Sequence, residues 1–292
     1  MRSFHHADFP ADRLRSARVE TVSVCVPARD EAATIAGVVE PLMGLREAGV
    51  IDQLVVLDDD SRDRTGAIAR SLGAEVVRPA ALLPAFGPVL GKGDAMWRSL
   101  SVLTGDLVCF VDADSEDFGA HFATGLLGPL ICVEGVQFVK GFYRRPFKSA
   151  DAQVQPTGGG RVTELTARPL LAAFYPELAG VRQPLAGEFA ARRELLERMA
   201  FCTGYAVEMG LLLDVSADVG IDAMAQVDLD VRQNRHQPLA KLAPMSAAVL
   251  AAVTSRLRRE CRLIAGAAPG DEGEPLERPP MVDLRALPDS LR

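Results

Sequence analysis

Two carboxylates one residue apart, Asp112 and Asp114, follow an apolar run that begins at Leu107. The run is rich in β-favouring residues and predicts a buried strand whose carboxyl end opens onto a polar site. Side chains two positions apart on an extended backbone point the same way, so the pair suits a hard divalent cation. Such a cation keeps positions open for phosphate oxygens, which is the chemistry of a nucleotide-diphosphate donor site. The alternative is a turn that only caps the strand.

Two earlier apolar runs also end in acidic residues. Residues 22–26 lead to Asp30 and Glu31, and residues 54–57 lead directly to the acidic stretch 58–60. Open parallel sheets bind ligands outside the carboxyl ends of their strands. Acids without a function would be spread over helix surfaces as well, so this placement favours a ligand site at one edge of a sheet.

The segments around these runs alternate between strand and helix patterns. An amphipathic helix is predicted to start with an acidic first turn at Asp30 and Glu31, a second helix covers 66–72 after a cap at 61–65, and a short strand covers 74–77. Further strands are predicted at 135–143 and from 227. The rhythm predicts an α/β fold with a mostly parallel sheet flanked by helices.

Lys92 stands between Gly91 and Gly93 at the start of a predicted helix that carries Trp97. A P-loop is rejected, because the spacing from Gly87 is too short and Gly93 occupies the place of the metal-binding hydroxyl residue. An ammonium and backbone donors at a helix start still suit a diphosphate. A flexible surface lysine is the other interpretation.

A second anion site is indicated by the polar, glycine-rich loop 149–160, which leads into Arg161 and Thr163 at the start of a helix predicted to end at Leu171. A guanidinium and helix-start donors suit an acceptor that carries a phosphate or a carboxylate. A mobile linker followed by an ordinary cap explains the pattern equally well. Glu188 and Glu208 each lie in an apolar stretch, and Glu208, which stands between Val207 and Met209, is expected to be paired or functional.

Composition limits the class of protein. The 292 residues carry a net charge of −7 and are 48% hydrophobic, which permits a large core and argues against nucleic-acid or membrane-surface partners. The cysteines lack metal-ligand spacing, and Cys25 and Cys109 fall in predicted core strands, which indicates reduced thiols and a cytoplasmic protein. There is neither a signal-peptide pattern nor an apolar stretch long enough to span a bilayer.

Several motifs together carry a resemblance to the GT-A glycosyltransferases, and among them to the glucosyl- and mannosyl-3-phosphoglycerate synthases. The resemblance runs from about Val22 to Pro244. Its motifs are Pro27-Ala28 with Glu31, GKGDAMWRSL at 91–100, FVDAD at 110–114, FYRRP at 142–146, GGGRVTEL at 158–165, QPLAGE at 183–188 and GYAVEMGLL at 204–212.

This resemblance implies a GT-A fold, an α-rich C-terminal region and a retaining transfer of a hexosyl group. The donor would be a UDP- or GDP-sugar, the acceptor a small anion such as 3-phosphoglycerate, and the cofactor Mg²⁺ or Mn²⁺. A homodimer is also expected. The implied organisation is an N-terminal extension over 1–20, a catalytic domain over 21–245 and a C-terminal helix with a flexible tail over 246–292. The donor half would cover about 21–147 and the acceptor half 148–245. Beyond the resemblance, the Ala-, Leu- and Arg-rich composition indicates a helix from about 246 to 265, and the Pro-, Gly- and acid-rich composition after it indicates a flexible tail.

The resemblance also assigns residues. The implied donor-binding residues are Pro27, Ala28, Arg29, Glu31, Asp59, Lys92, Asp112, Ala113, Asp114 and Arg232. The implied acceptor-binding residues are Gly160, Arg161, Thr163 and His236. Catalytic roles fall to Asp114, Lys92, Arg232 and Glu208, and the metal to Asp114 and Asn234. The implied front-face mechanism needs position and charge neutralisation more than a nucleophile, so Glu188 and Glu208 become sugar-binding or orienting groups.

The chain departs from the family pattern at two places on the donor side. Asn234 stands where the family has a metal-binding histidine, and Asp-Asp-Asp-Ser at 58–61 replaces the usual Asp-Ser-Gly-Ser. Two alternatives therefore stay open. One is a paralogue that joins an unusual GDP-sugar to another acceptor, for example a thiol. The other is a nucleotide-sugar-binding protein without turnover.

Overall fold

The computed structural model describes residues 1–148, 154–155, 159–233, 238–263 and 276–284 of the chain. Asn234 and His236, predicted at the metal and acceptor sites, lie outside these residues, as does most of the loop 149–158.

The strands, in chain order, are β1 (Arg2–His5), β2 (Val22–Ala28), β3 (Gln53–Asp58), β4 (Glu75–Val77), β5 (Leu107–Phe110), β6 (Phe138–Arg144), β7 (Phe147–Lys148), β8 (Val154–Gln155), β9 (Phe189–Arg192), β10 (Phe201–Cys202), β11 (Met224–Val231) and β12 (Glu277–Arg278). Eight of them form one sheet in the order β1-β11-β6-β9-β5-β2-β3-β4. Strand β9 runs antiparallel to both its neighbours, and the other pairings are parallel. The prediction of a mostly parallel sheet is confirmed.

The helices are α1 (Ala11–Ala17), α2 (Ile35–Glu47), α3 (Thr65–Ser71), α4 (Lys92–Ser99), α5 (Ala120–Cys132), α6 (Arg168–Phe174), α7 (Arg193–Arg198), α8 (Val207–Val219), α9 (Leu239–Arg259) and α10 (Met281–Leu284). Two apolar cores lie on opposite faces of the sheet. Along β5, Val108 and Phe110 enter one core while Leu107 and Cys109 enter the other, as the alternation of a strand requires. None of the described helices is both long and apolar enough to cross a bilayer.

The helix after β2 begins later than predicted. Helix α2 starts at Ile35, and Asp30 adopts a left-handed backbone conformation with φ of 56°. Its carboxylate accepts the N–H of Arg62 at 2.7 Å, and the N–H of Glu31 donates to Thr65 Oγ1 at 2.8 Å. The prediction of an acidic first turn is therefore wrong. These residues instead tie the loop after β2 to the loop after β3, because Asp tolerates the left-handed region and can bond locally.

The C-terminal region is more ordered than its composition indicates. Helix α9 starts at Leu239, before the predicted start near 246. Arg278 of β12 is buried, and its Nη2 lies 2.8 Å from Oδ2 of the fully buried Asp94 on α4. Within the predicted tail, residues 277–278 form β12 and residues 281–284 form α10, and Arg278 joins Arg98 in pairing with the buried carboxylate of Asp94. The rest of the predicted tail lies outside the described residues.

Candidate active site

The carboxyl ends of the central strands open into a cavity of about 510 Å³. Every described residue that was assigned to donor binding, acceptor binding, catalysis or the metal lines it, whereas Glu188 does not. The assigned residues are Pro27, Ala28, Arg29, Glu31, Asp59, Lys92, Asp112, Ala113, Asp114, Gly160, Arg161, Thr163, Glu208 and Arg232. Residues from both predicted halves therefore meet in one space. Their individual roles in binding and catalysis stay predictions.

Lys92 occupies the centre of the donor side. Its Nζ lies 2.6 Å from Asp112 Oδ1 and 2.9 Å from Glu208 Oε1. Burial works to lower the pKa of Lys92, but the two carboxylates outweigh it and the net pKa is raised, so the ammonium stays charged at neutral pH. The interpretation of Lys92 as a flexible surface lysine is wrong.

Close packing explains the glycines around this ion pair. A Cβ on Gly93 would lie 2.0 Å from the carbonyl oxygen of Cys202, and one on Gly187 would lie 2.2 Å from Asp112 Oδ1. Gly91 has a φ of 84°, which side chains rarely adopt. The glycines of the two motifs thus bring α4 against the strand ends and leave room for the Lys92–Asp112 pair.

Arg232 follows β11 and reaches the same carboxylates from the other side. It is 2% exposed, and its Nη1 lies 3.1 Å from Asp112 Oδ2. Its Nη2 donates to Asp114 Oδ1. Burial works to raise the pKa of Asp112, but Lys92 and Arg232 together hold it well below its usual range. Asp112 therefore bridges Lys92 and Arg232.

Glu188 supports Arg232 from behind the cavity. It is fully buried, its Oε1 lies 2.9 Å from Arg232 Nη1, and its Oε2 accepts the hydroxyl of Tyr143 at 2.7 Å. Burial raises the pKa of Glu188 against the opposing effect of Arg232. Glu188 is therefore a paired carboxylate, and the pairing expected of Glu208 is confirmed by its contact with Lys92. Glu188 does not line the cavity, and its contacts are with Arg232 and Tyr143.

The acceptor side is formed where the chain enters a short π-helical segment, Thr163–Ala167, which leads into α6. The predicted single helix is thus interrupted by a wider turn, a feature that often occurs at functional sites. Gly160, with φ of 74°, precedes Arg161 at this entrance. Arg145, at the end of the FYRRP motif, lines the cavity on the same side.

Sequence reasoning missed part of the lining. Arg145 and Tyr205 lie within quoted motifs but received no role, and α9 adds an apolar wall of Leu242, Met245 and Val249. A basic residue just after a strand end was an available signal for Arg145. The wall had no such signal, because only the packing of α9 turns these side chains to the cavity.

Lys140 of β6 is a buried cation close to the site. Its Nζ donates to the carbonyl oxygen of Ala186 at 2.5 Å, and burial lowers its pKa to about 8, although Glu208 opposes the shift. Between pH 8 and the ordinary lysine pKa near 10.4, Lys140 is mostly neutral in the folded protein and mostly protonated in the unfolded chain. The unfolded chain therefore binds more protons, and the contribution of Lys140 to the free energy of unfolding rises with pH.

We expect the free energy of unfolding of the wild type, measured relative to Lys140→Met, to increase from pH 8 to pH 10. Urea unfolding at several pH values measures this difference. Lys241→Met, which removes an exposed lysine of α9, is the control and should show a constant difference. A constant difference for Lys140→Met as well would contradict the lowered pKa.

The fold and this site together define a glycosyltransferase of the GT-A class. Residues 23–123 match the family model described as Glycosyl transferase family 2. The chain is 48% identical to the glucosyl-3-phosphoglycerate synthase of Mycolicibacterium smegmatis over 278 residues, which cover 91% of this chain and 90% of that protein.

Two solved structures agree with this assignment. The mannosyl-3-phosphoglycerate synthase of Rubrobacter xylanophilus superposes with a TM-score of 0.87 at 47% identity, covering 97% of this chain and 96% of that one. The glucosyl-3-phosphoglycerate synthase of Mycobacterium tuberculosis, solved with Mn²⁺, UDP-glucose and phosphoglyceric acid, gives 0.84 at 42% identity, covering 98% and 99%. The chain belongs to the glucosyl-3-phosphoglycerate synthase family of glycosyltransferases.

Proposed function

We propose that this protein transfers a hexosyl group, with retention of configuration, from a nucleotide-diphosphate sugar to 3-phosphoglycerate. The observation that carries the proposal is the shared cavity, in which the Lys92–Asp112–Arg232 cluster faces the Gly160–Thr163 segment. A donor and an anionic acceptor can therefore meet without a change of site. The relatives solved with UDP-glucose and phosphoglyceric acid support the same pair of substrates.

The donor side is suited to a departing diphosphate. Lys92 and Arg232 present two buried or half-buried cations to one region of the cavity, held by Asp112 between them. Charges that are already oriented stabilise the negative charge that develops on the leaving group without further reorganisation. Glu208, held by Lys92, lies where it can orient the sugar.

A divalent cation fits the donor set of this site. The side chain of Asp114 is 39% exposed at the cavity, and carboxylate oxygens are ligands that Mg²⁺ and Mn²⁺ accept. We assign the ion to Asp114 and Asn234, and when bound it would neutralise the diphosphate. Structures of the Mycobacterium tuberculosis relative contain Mn²⁺.

The acceptor side is suited to a phosphate or a carboxylate. Arg161 and Arg145 line it, and the segment at Gly160 adds backbone N–H groups at a helix start. A planar guanidinium can donate two parallel hydrogen bonds to a carboxylate or a phosphate. A neutral thiol gains no comparable stabilisation from two such groups. The structure therefore supports the anionic acceptor over the thiol alternative.

Arg161→Ala is expected to raise the KM for 3-phosphoglycerate by about 10- to 100-fold, the range for losing a hydrogen bond to a charged group. The KM for the donor should change little. Arg168→Ala is the matched control, because Arg168 lies on α6, pairs with Glu164 at 3.1 Å and does not line the cavity. Equal acceptor KM values in the two variants would contradict the proposed acceptor contact.

The proposed function is tested by offering UDP-glucose, GDP-glucose and GDP-mannose with 3-phosphoglycerate, with and without Mg²⁺ or Mn²⁺. We expect metal-dependent formation of one glycosylated product whose anomeric configuration, measured by NMR, equals that of the donor. No transfer with any of the donors would refute the proposal. Donor binding without transfer or hydrolysis would instead identify a nucleotide-sugar-binding protein.

The cytoplasmic location and the homodimer stay predictions, as do the domain boundaries. Light scattering coupled to size-exclusion chromatography measures the oligomeric state directly.

A further inference from the structure

A second group of side chains of the types that bind metals lies at the edge of the sheet formed by β1 and β11. Three of the four histidines of the chain, His5, His6 and His121, gather with Asp230 near the carboxyl ends of β1 and β11. None of these residues lines the active-site cavity. The cluster is therefore separate from the site described above.

The distances within the cluster are close to those of a metal site. His6 Nε2 lies 2.6 Å from Asp230 Oδ2, and His5 Nε2 lies 3.5 Å from Asp230 Oδ1. One possible ligand atom from each of His5, His6 and Asp230 lies within 4.8 Å of the corresponding atoms of the other two residues. Ligands at ~2.1 Å from one ion are roughly 3 Å apart, so small side-chain rotations would place these atoms around a cation.

The backbone of β11 directs the carboxylate to the histidines. The β11–β6 pairing has an irregularity between Asp228 and Val231, and Asp230 there has a φ of 68°. Bulges of this kind re-aim a side chain, and Asp is one of the few residues other than glycine that adopts the left-handed region. The carboxylate of Asp230 thereby lies within 3.5 Å of both imidazoles.

The cluster is also accessible. The side chains of His5 and Asp230 are 46% and 48% exposed, and that of His6 is 18% exposed, so a hydrated ion can enter without unfolding. Arg144 Nη2, 4.0 Å from Asp230 Oδ1, is a nearby cation, but its side chain is 72% exposed and can turn to solvent.

We propose that His5, His6 and Asp230 bind a transition-metal dication of the zinc class. The ligands would be Nε2 of both histidines and one carboxylate oxygen, with water in the remaining positions. Imidazole with carboxylate favours Zn²⁺, Co²⁺ or Ni²⁺ over Mg²⁺, which prefers oxygen alone. Without metal, His5 Nδ1 accepts a hydrogen bond from the N–H of Ala7 at 3.2 Å. A metal bound at Nε2 leaves the proton of the neutral imidazole on Nδ1, so Nδ1 can no longer accept this bond and the N–H of Ala7 bonds to water.

The bound ion would join the N-terminal strand to β11, whose continuation carries Arg232. Because the metal binds only the folded arrangement, it should raise the Tm of the protein by a few degrees at saturating concentration.

The test uses the untagged protein, stripped with a chelator and kept in millimolar Mg²⁺ so that the catalytic site does not compete for zinc. Titration of Zn²⁺ against a chromophoric indicator, with Co²⁺ absorption as a second readout, should show one bound equivalent in the wild type. His6→Ala and Asp230→Asn should each weaken binding at least about tenfold, since each removes a ligand. His5→Ala, which removes the third ligand at an exposed position, should weaken zinc binding in the same way. The Tm of each of the three variants, measured in the presence of the chelator, checks that the variant folds.

Two controls separate this site from its neighbours. His121→Asn removes the ring that stacks on His6 with centroids 4.6 Å apart, and Asp114→Asn alters the catalytic site; both should bind Zn²⁺ as the wild type does. No zinc binding by the wild type would overturn the proposal. Unchanged binding in folded His6→Ala and Asp230→Asn, or loss of binding in either control, would overturn it as well.

Discussion

Asp114→Ala is expected to lower hexosyl transfer by about a hundred- to a thousandfold, the cost of removing one group that stabilises charge in a transfer site. The residue follows β5 at the edge of the cavity, where its partly exposed side chain fills no core. The fold should therefore persist, and the Tm should stay near that of the wild type. Steady-state rates with saturating donor, acceptor and Mn²⁺ measure the effect.

A charge-matched control accompanies this variant. Asp218→Ala removes an exposed carboxylate on α8 that pairs with Arg198 and lies away from the cavity. It changes the net charge of the protein in the same way and should retain full activity. Wild-type rates in Asp114→Ala would sink the proposed role of this carboxylate in holding a cation or the donor.

Arg232→Met is expected to reduce both stability and transfer. The guanidinium is buried against Glu188, which has no exposure of its own, so its removal leaves an unpaired carboxylate inside the protein. Breaking one side of a buried ion pair costs about 3–5 kcal/mol of stability. Loss of a cation facing the donor should lower transfer by a further hundredfold or so. Urea unfolding and initial rates report the two effects separately.

The double variant Arg232→Met with Glu188→Gln separates structure from catalysis. The neutral amide removes the unpaired charge and can still accept the hydroxyl of Tyr143, so stability should recover in part. Transfer should not recover, because the donor still lacks the cation. If the double variant regains wild-type activity, Arg232 serves only to hold the fold.

The sequence by itself determined the class of fold and most of the site. Continuous apolar runs mark β2, β3 and β5, and the acids that end them lie at one edge because parallel strands share the direction of their carboxyl ends. Residues fixed to strand ends, such as Asp112 and Asp114, could therefore be placed together before the structure was known. Lys92 and Arg161 also reach the cavity from helix starts that local patterns indicate.

Only the tertiary structure decided which partner each buried charge meets. Glu188 pairs with Arg232 and does not line the cavity, and Asp94 pairs with Arg278 of a segment whose composition predicted a flexible tail. His5 and His6 meet Asp230 because β1 joins the sheet at β11, a pairing between distant parts of the chain. Local propensity carries no record of such pairings, since they depend on register and on the entropy of closing long loops. Burial then selects among the possible partners by requiring that every charge removed from water finds one.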